Sequence, residues 1–313
     1  MRISKSTRRG FTRIELLVVV ICLTLLVAIV IPLISGQRET QRTVACRDRM
    51  GSLGQAFLRY ADERNGRFPD LEDGEIPWTV SLLPYLNSEE GQQLLDQISR
   101  LPSFDSEPLH ASRYLCPSGR EYAVGANSYV VNGGMGDFEV DEASLDVSEP
   151  RPHSLEIDWN GDGSIDSNDL KLSHSSGVIW RPHELIGPWT KSEISSLDGL
   201  QQTMLLSENQ NARRWQSRDT FDLAFVVGRD RITFGADQHP FDFQASELGP
   251  YRINFSRSGR AGRCPSPGST HGNAVNVVFA DGSAKLMSDE IDTLLYLRMM
   301  TPGGTKYGEA RFM

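Results

Sequence analysis

After a basic start the chain turns abruptly apolar: Leu16 to Ile34 is nineteen residues without a charge. At ~1.5 Å per residue such a helix reaches about 28 Å, close to the ~30 Å hydrocarbon core of a bilayer. Arg2, Lys5, Arg8, Arg9 and Arg13 crowd the N-terminal side, which keeps that side in the cytoplasm and sends the rest across. The run is long for a secretory signal and no small-x-small cleavage site follows it. The pattern predicts a single-pass inner-membrane anchor over 16–34 with the C-terminal domain outside the cytoplasm.

Past the run the periodicity changes. Cys46, Met50, Leu53, Phe57 and Tyr60 recur at three and four residues, while Arg47, Asp48, Arg49, Arg59, Asp62 and Glu63 fill the other faces. That is an amphipathic helical stripe, and Asn65-Gly66 ends it. A second helical stretch is expected from Pro77 to Arg100, broken near Asn87-Ser88. Short β-branched or aromatic runs then predict strands at Ser128–Asn132, Gly177–Trp180, Thr203–Ser207, Leu223–Val227, Arg231–Phe234, Tyr251–Phe255, Ala274–Phe279 and Ala284–Met287. A helix from Asp289, as cap, to Met300 should close the fold before Pro302-Gly303-Gly304. The expected class is α+β: one long N-terminal helix packed on an antiparallel sheet.

Composition adds limits. At 39% hydrophobic and 23% charged, the 313 residues are those of a globular chain beyond its anchor. A formal net charge of −9 repels phosphate backbones, so no nucleic-acid partner is expected. Of four cysteines, Cys22 falls in the apolar run, leaving Cys46, Cys116 and Cys264 for an oxidising compartment. Three cannot all pair. Cys46–Cys116 is the preferred bridge; alternatively Cys46 simply packs on the apolar helix face.

The sharpest local motif is 158–169. Asp158, Asn160, Asp162, Asp166 and Asp169 stand at positions 1, 3, 5, 9 and 12 of a twelve-residue loop, with Gly163 at position 6. Alternate oxygens on a tight turn can converge on a cation that takes six to eight hard ligands, and the Ser164 carbonyl would supply position 7. Ile165 would tie the loop to its surroundings. The pattern predicts a structural Ca2+ site. Aspartate at position 12, and the lack of an entering helix, point to an isolated dockerin-style loop rather than a paired hand.

Two further sets of residues carry a family resemblance. Arg8-Arg9-Gly10-Phe11-Thr12-Arg13-Ile14-Glu15 before the apolar run resembles a type IV prepilin signal. The resemblance implies cleavage after Gly10 by prepilin peptidase, methylation of Phe11, and Glu15 as the carboxylate that neutralises a neighbour's N-terminal amine during assembly. Loss of that leader would take the formal charge from −9 to −13 by removing Arg2, Lys5, Arg8 and Arg9. It divides the chain into a leader (1–10), a long helix (11–65) and an extracytoplasmic domain (66–313).

At the far end, His271 lies nine residues before Asp281-Gly282. This resembles the C-terminal processing-associated segment of a prepilin-like family of unknown function abundant in planctomycetes. Cys46 with Leu53-Gly54-Gln55-Ala56, Tyr114-Leu115-Cys116-Pro117-Ser118, and Asp198-Gly199 to Thr203 with Glu208 resemble other pieces of that family. A structural role is expected for His271, Asp281 and Gly282, the last two as a turn.

No Gly-x-Ser-x-Gly elbow, phosphate loop or zinc spacing is present, so no catalytic residue is assigned and an enzyme is not expected. The resemblance implies a pilin-like fold and a pseudopilin-like structural subunit of a type II secretion or pilus-like apparatus, with like or related subunits as partners, displayed in the periplasm or in an extracellular filament. The alternative is a tethered extracytoplasmic module binding a glycan or protein. An anchored enzyme comes third.

Overall fold

The computed structural model describes residues 13–119, 123–138, 140, 153–228, 248–255 and 261–307, the side chains of 29–39 excepted. The chain forms two compact units, 1–42 and 43–313. In the first, helix α1 (Arg13–Glu63) begins with Glu15 in its first turn. Its side chains from Ile14 to Val27 are exposed.

The second unit holds the core. Residues 43–63 of α1 bury Cys46, Met50, Leu53, Phe57 and Tyr60, the stripe that the three- and four-residue spacing picks out. Asn65 and Gly66 take left-handed backbone angles, and the Gly66 amide donates to the Ala61 carbonyl, stopping the helix. A two-residue hairpin, β1 (Glu72–Asp73) and β2 (Ile76–Pro77), leads into the short helix α2 (Trp78–Ser81). Ser88 then caps α3 (Glu89–Ile98) through the Gly91 amide, which explains the break near Asn87-Ser88.

The sheet follows. Strand β3 (Tyr129–Gly136) precedes helices α4 (Ser167–Ser175) and α5 (Lys191–Ser196), then β4 (Met204–Glu208). Helix α6 (Thr220–Leu223) runs directly into β5 (Ala224–Gly228), and the hairpin β6 (Ala274–Phe279) and β7 (Ala284–Ser288) is followed by α7 (Thr293–Met300). The strand order is β5-β3-β4-β6-β7, with β3 and β5 parallel and every other pair antiparallel. All of β3 and β4 is buried, as central strands covered on both faces must be. On one face α1 lies so close that a Cβ on Gly54 would meet the Val278 side chain at 2.6 Å and the Gly282 backbone at 3.2 Å.

This corrects the expected fold class. The sheet is mixed rather than antiparallel, because the connection to β5 brings it alongside β3 in the same direction. Gly177–Trp180 is no strand but a loop whose Val178 and Ile179 amides donate to the Asn132 carbonyl. Tyr251–Phe255 is a helical turn and bend, and Arg231–Phe234 lies outside the described residues. The cap of α7 is Asp292, which accepts from the Leu295 amide, not Asp289.

The membrane span is also corrected. Among the described residues no helix is long and apolar enough to cross a membrane. The pilin-like transmembrane helix and the single-pass inner-membrane placement expected from 16–34 are not supported.

One half-buried acid makes stability depend on pH. Desolvation, reinforced by the nearby Asp73, lifts the Asp70 carboxyl from 3.8 to about 6. The folded chain therefore holds this proton more tightly than the unfolded chain. Stability falls as pH rises through that interval and stays lowered above it. Asp70→Asn should add about 1–3 kcal/mol at pH 8 and almost nothing at pH 4, in urea unfolding followed at both values. Equal gains at the two would contradict it.

Candidate functional site

Four separate pieces of chain meet at one buried point. Cys46 comes from α1, Cys116 from the turn after Tyr114, Glu208 from the end of β4, and His271 from the loop entering β6. Their ligand-type atoms, two sulfurs, one ring nitrogen and one carboxylate oxygen, all lie within 4.8 Å of one another. Cys46 Sγ is 2.5 Å from Glu208 Oε1, and His271 Nε2 is 3.1 Å from both Cys116 Sγ and Glu208 Oε1. Every one of the four residues is buried.

The groups are held from behind. His271 Nδ1 is 3.1 Å from Thr43 Oγ1, which leaves Nε2 facing the cluster. Glu208 Oε2 accepts from the Asn276 amide at 2.7 Å, which aims Oε1 inward. The Tyr129 hydroxyl sits 3.2 Å from Cys46 Sγ and 3.3 Å from the Leu115 carbonyl.

Burial sets the protonation. Desolvation, with contributions from Cys116 and Glu208, raises the Cys46 thiol far above its ordinary range. The Cys46 hydrogen bond, against the penalty of burial and with help from His271, lowers Cys116 to about 6. Burial opposes charge on His271, but Cys116 and Glu208 overcome it and raise the ring to about 10. The arrangement can therefore hold a thiolate, a carboxylate and an imidazolium together, or hand the same atoms to a cation.

Cys46 and Cys116, expected as a disulfide, are neighbours but are not joined by one. Cys264 is buried and Cys22 exposed, and neither is in a disulfide. His271 stands in the buried cluster, whereas Asp281 accepts from the Ser283 amide in the β6–β7 turn beside Gly282 (φ +81°). Asp198, another family position, holds the Gly304 and Thr305 amides.

In the 158–169 loop the side-chain oxygens bond to amides of the loop itself. Asp158 accepts from the Gly161 and Gly163 amides at 2.7 and 2.8 Å, Asn160 from Asp162, and Asp162 from Ser164. Asp166 caps α4, and Asp169 returns a bond to the Asp166 amide, a reciprocal capping box. Thus the carboxylates turn to the loop's own amides, and Ile165 is exposed rather than packed. Gly10 and Phe11 lie outside the described residues; Glu15 is exposed.

A cleft of about 400 Å³ is lined by Glu72, His153, Glu156, Arg181 and His183. His153 is buried, stacked on Trp180 at 4.4 Å, with Nε2 2.6 Å from the Gly133 carbonyl. That contact makes Nε2 the donor, so Nδ1 is an acceptor, and it has no partner among the described residues. Desolvation and the Arg181 charge lower this ring to about 3. Arg181 in turn pairs with Glu72 and donates to the Arg218 carbonyl.

The chain belongs to the family described as Protein of unknown function (DUF1559), whose model matches residues 36–294. No curated protein and no solved structure matches it. The matched span contains all four residues of the Cys46–Cys116–Glu208–His271 cluster.

Proposed function

We propose that the chain is a non-catalytic, pseudopilin-like structural subunit, trimmed after Gly10 by prepilin peptidase and assembled with like or related subunits through α1. The observation that carries the reading is the exposed apolar surface of that helix. Ile14, Leu16 to Ile21, Leu23 and Leu25 to Val27 are each between 46% and 76% exposed. A contiguous apolar surface of this kind marks an interaction site. Glu15 in the first turn would meet a neighbour's N-terminal amine. A structural calcium ion at 158–169 belongs to the same reading, supported by the alternate oxygens and by Gly163 in the left-handed conformation that position 6 needs.

The test combines two measurements on the protein from its native host. Mass spectrometry should find a chain beginning with N-methylated Phe11. Cross-linking and sedimentation should find polymer, reduced about tenfold or more by Leu25→Lys, since burying one leucine contributes ~1.5–3 kcal/mol. An intact Met1 together with a monomer would overturn the reading.

One observation favours a second reading, a module binding a glycan or protein: the cleft at Arg181, where Nδ1 of buried His153, without a partner among the described residues, would accept from a ligand hydroxyl. A glycan-array signal abolished by His153→Phe would move this reading to first place.

A further inference from the structure

We propose that Cys46, Cys116, Glu208 and His271 bind a single zinc ion, which clips residues 43–63 of α1 to the sheet. This inference does not depend on assembly; it stands on the geometry of the cluster.

A disulfide would account for two of the four side chains and leave Glu208 and His271 buried beside it for no reason. A cation accounts for all four, and for the bonds behind them. Zinc takes four N, S and O ligands tetrahedrally, at ~2.3 Å for sulfur and ~2.0–2.2 Å for nitrogen and oxygen. Such bonds place ligand atoms about 3.3–3.8 Å apart, and the present atoms, gathered within 4.8 Å, need move only slightly to reach that spacing. The orienting contacts are those a zinc site requires. A ligating histidine presents one nitrogen to the metal and donates the other N–H, here to Thr43; a ligating carboxylate is braced by a second donor, here the Asn276 amide.

The donor set selects the metal class. Two thiolates rule against calcium and magnesium, which take oxygen ligands, and the carboxylate is a poor partner for copper(I). Binding releases the protons that the Cys46 thiol and the His271 ring hold, and the divalent charge offsets three buried negative groups. A small cavity bordered by Cys116, Glu208, Ser269 and the exposed Thr270 reaches the cluster from the surface.

The ligands lie at 46, 116, 208 and 271, so one ion would close three long loops of chain. That explains how four distant family segments come to one point. It also gives the cluster a job that needs no substrate.

The full chain, purified under reductant and without a metal-affinity step, should contain about one zinc per chain by mass spectrometric metal analysis. X-ray absorption at the zinc edge should show two sulfurs at ~2.3 Å and two lighter ligands at ~2.0–2.1 Å. Stripped protein given Co2+ should develop thiolate-to-cobalt charge-transfer absorption, and Cys116→Ser should lose it. Asp162→Asn in the 158–169 loop should keep the zinc. Because Cys116→Ser can fail to fold, the absorption spectrum of the unaltered chain decides independently. A zinc shell without sulfur, a different metal at the site, metal-free protein that takes no cobalt, or a Cys46–Cys116 disulfide in the isolated chain would each overturn the proposal.

Discussion

Gly177→Ala should cost at least ~3 kcal/mol and leave little folded chain at growth temperature. A Cβ on Gly177 would stand 2.3 Å from the Gly134 amide nitrogen, 2.4 Å from Gly134 Cα and 2.7 Å from the Gly133 carbonyl carbon. All three are backbone atoms, so no side chain can swing away. The partner strand cannot retreat either. β3 is irregular between Asn132 and Met135, and Gly134 there holds a φ of +71°. Around that bulge the loop is stitched to the strand: Val178 and Ile179 donate to the Asn132 carbonyl, and the Met135 amide donates to Ser176 Oγ. Making room for one methyl group would break these bonds in the middle of the sheet. Gly187→Ala is the control, because its Cβ would meet nothing within 4 Å, and it should stay within about 0.5 kcal/mol of the parent. Thermal and urea unfolding of both variants checks this; equal midpoints would show that the contact is softer than its geometry.

The same contact illustrates what the sequence could and could not convey. The helical stripe from Cys46 to Tyr60 and the cores of β3, β4, β6 and β7 were legible, since local periodicity and turn residues determine them. The core of β5 was legible too, but its parallel pairing with β3 was not, because which strand lies beside β3 depends on contacts far apart in the chain. Cys46, Cys116, Glu208 and His271 were invisible as a site for the same reason: their spacings of dozens of residues match no ligand pattern. A signal did exist. Each of the four stands in one of the scattered segments that carry the family resemblance, and asking what those segments share would have gathered two thiols, a carboxylate and an imidazole. The 158–169 pattern is the opposite case, a short local motif legible from residue types and spacing alone, in which Asp166 and Asp169 also cap α4.

Glu208→Ala should destabilise the chain by ~3–5 kcal/mol, the usual consequence of removing one partner of a buried charged cluster. Glu208 is 2% exposed, and its two oxygens serve three neighbours: Cys46, His271 and the Asn276 amide. Truncation leaves the Asn276 amide without its acceptor inside β6 and strips the His271 ring of its counter-charge. Whether the four side chains hold a cation or only one another, the remaining three cannot replace a carboxylate. Glu208→Gln keeps the volume and an acceptor for Asn276 but not the charge, so about 1–3 kcal/mol is expected. Coupling tells a cluster from a set of independent contacts. In a double-mutant cycle by urea unfolding, Glu208→Gln and His271→Gln should depart from additivity by ~1–3 kcal/mol, because the second loss falls on a cluster already broken. Strict additivity would mean that the carboxylate and the imidazole stabilise the fold separately, and that their meeting 3.1 Å apart carries no energy of its own.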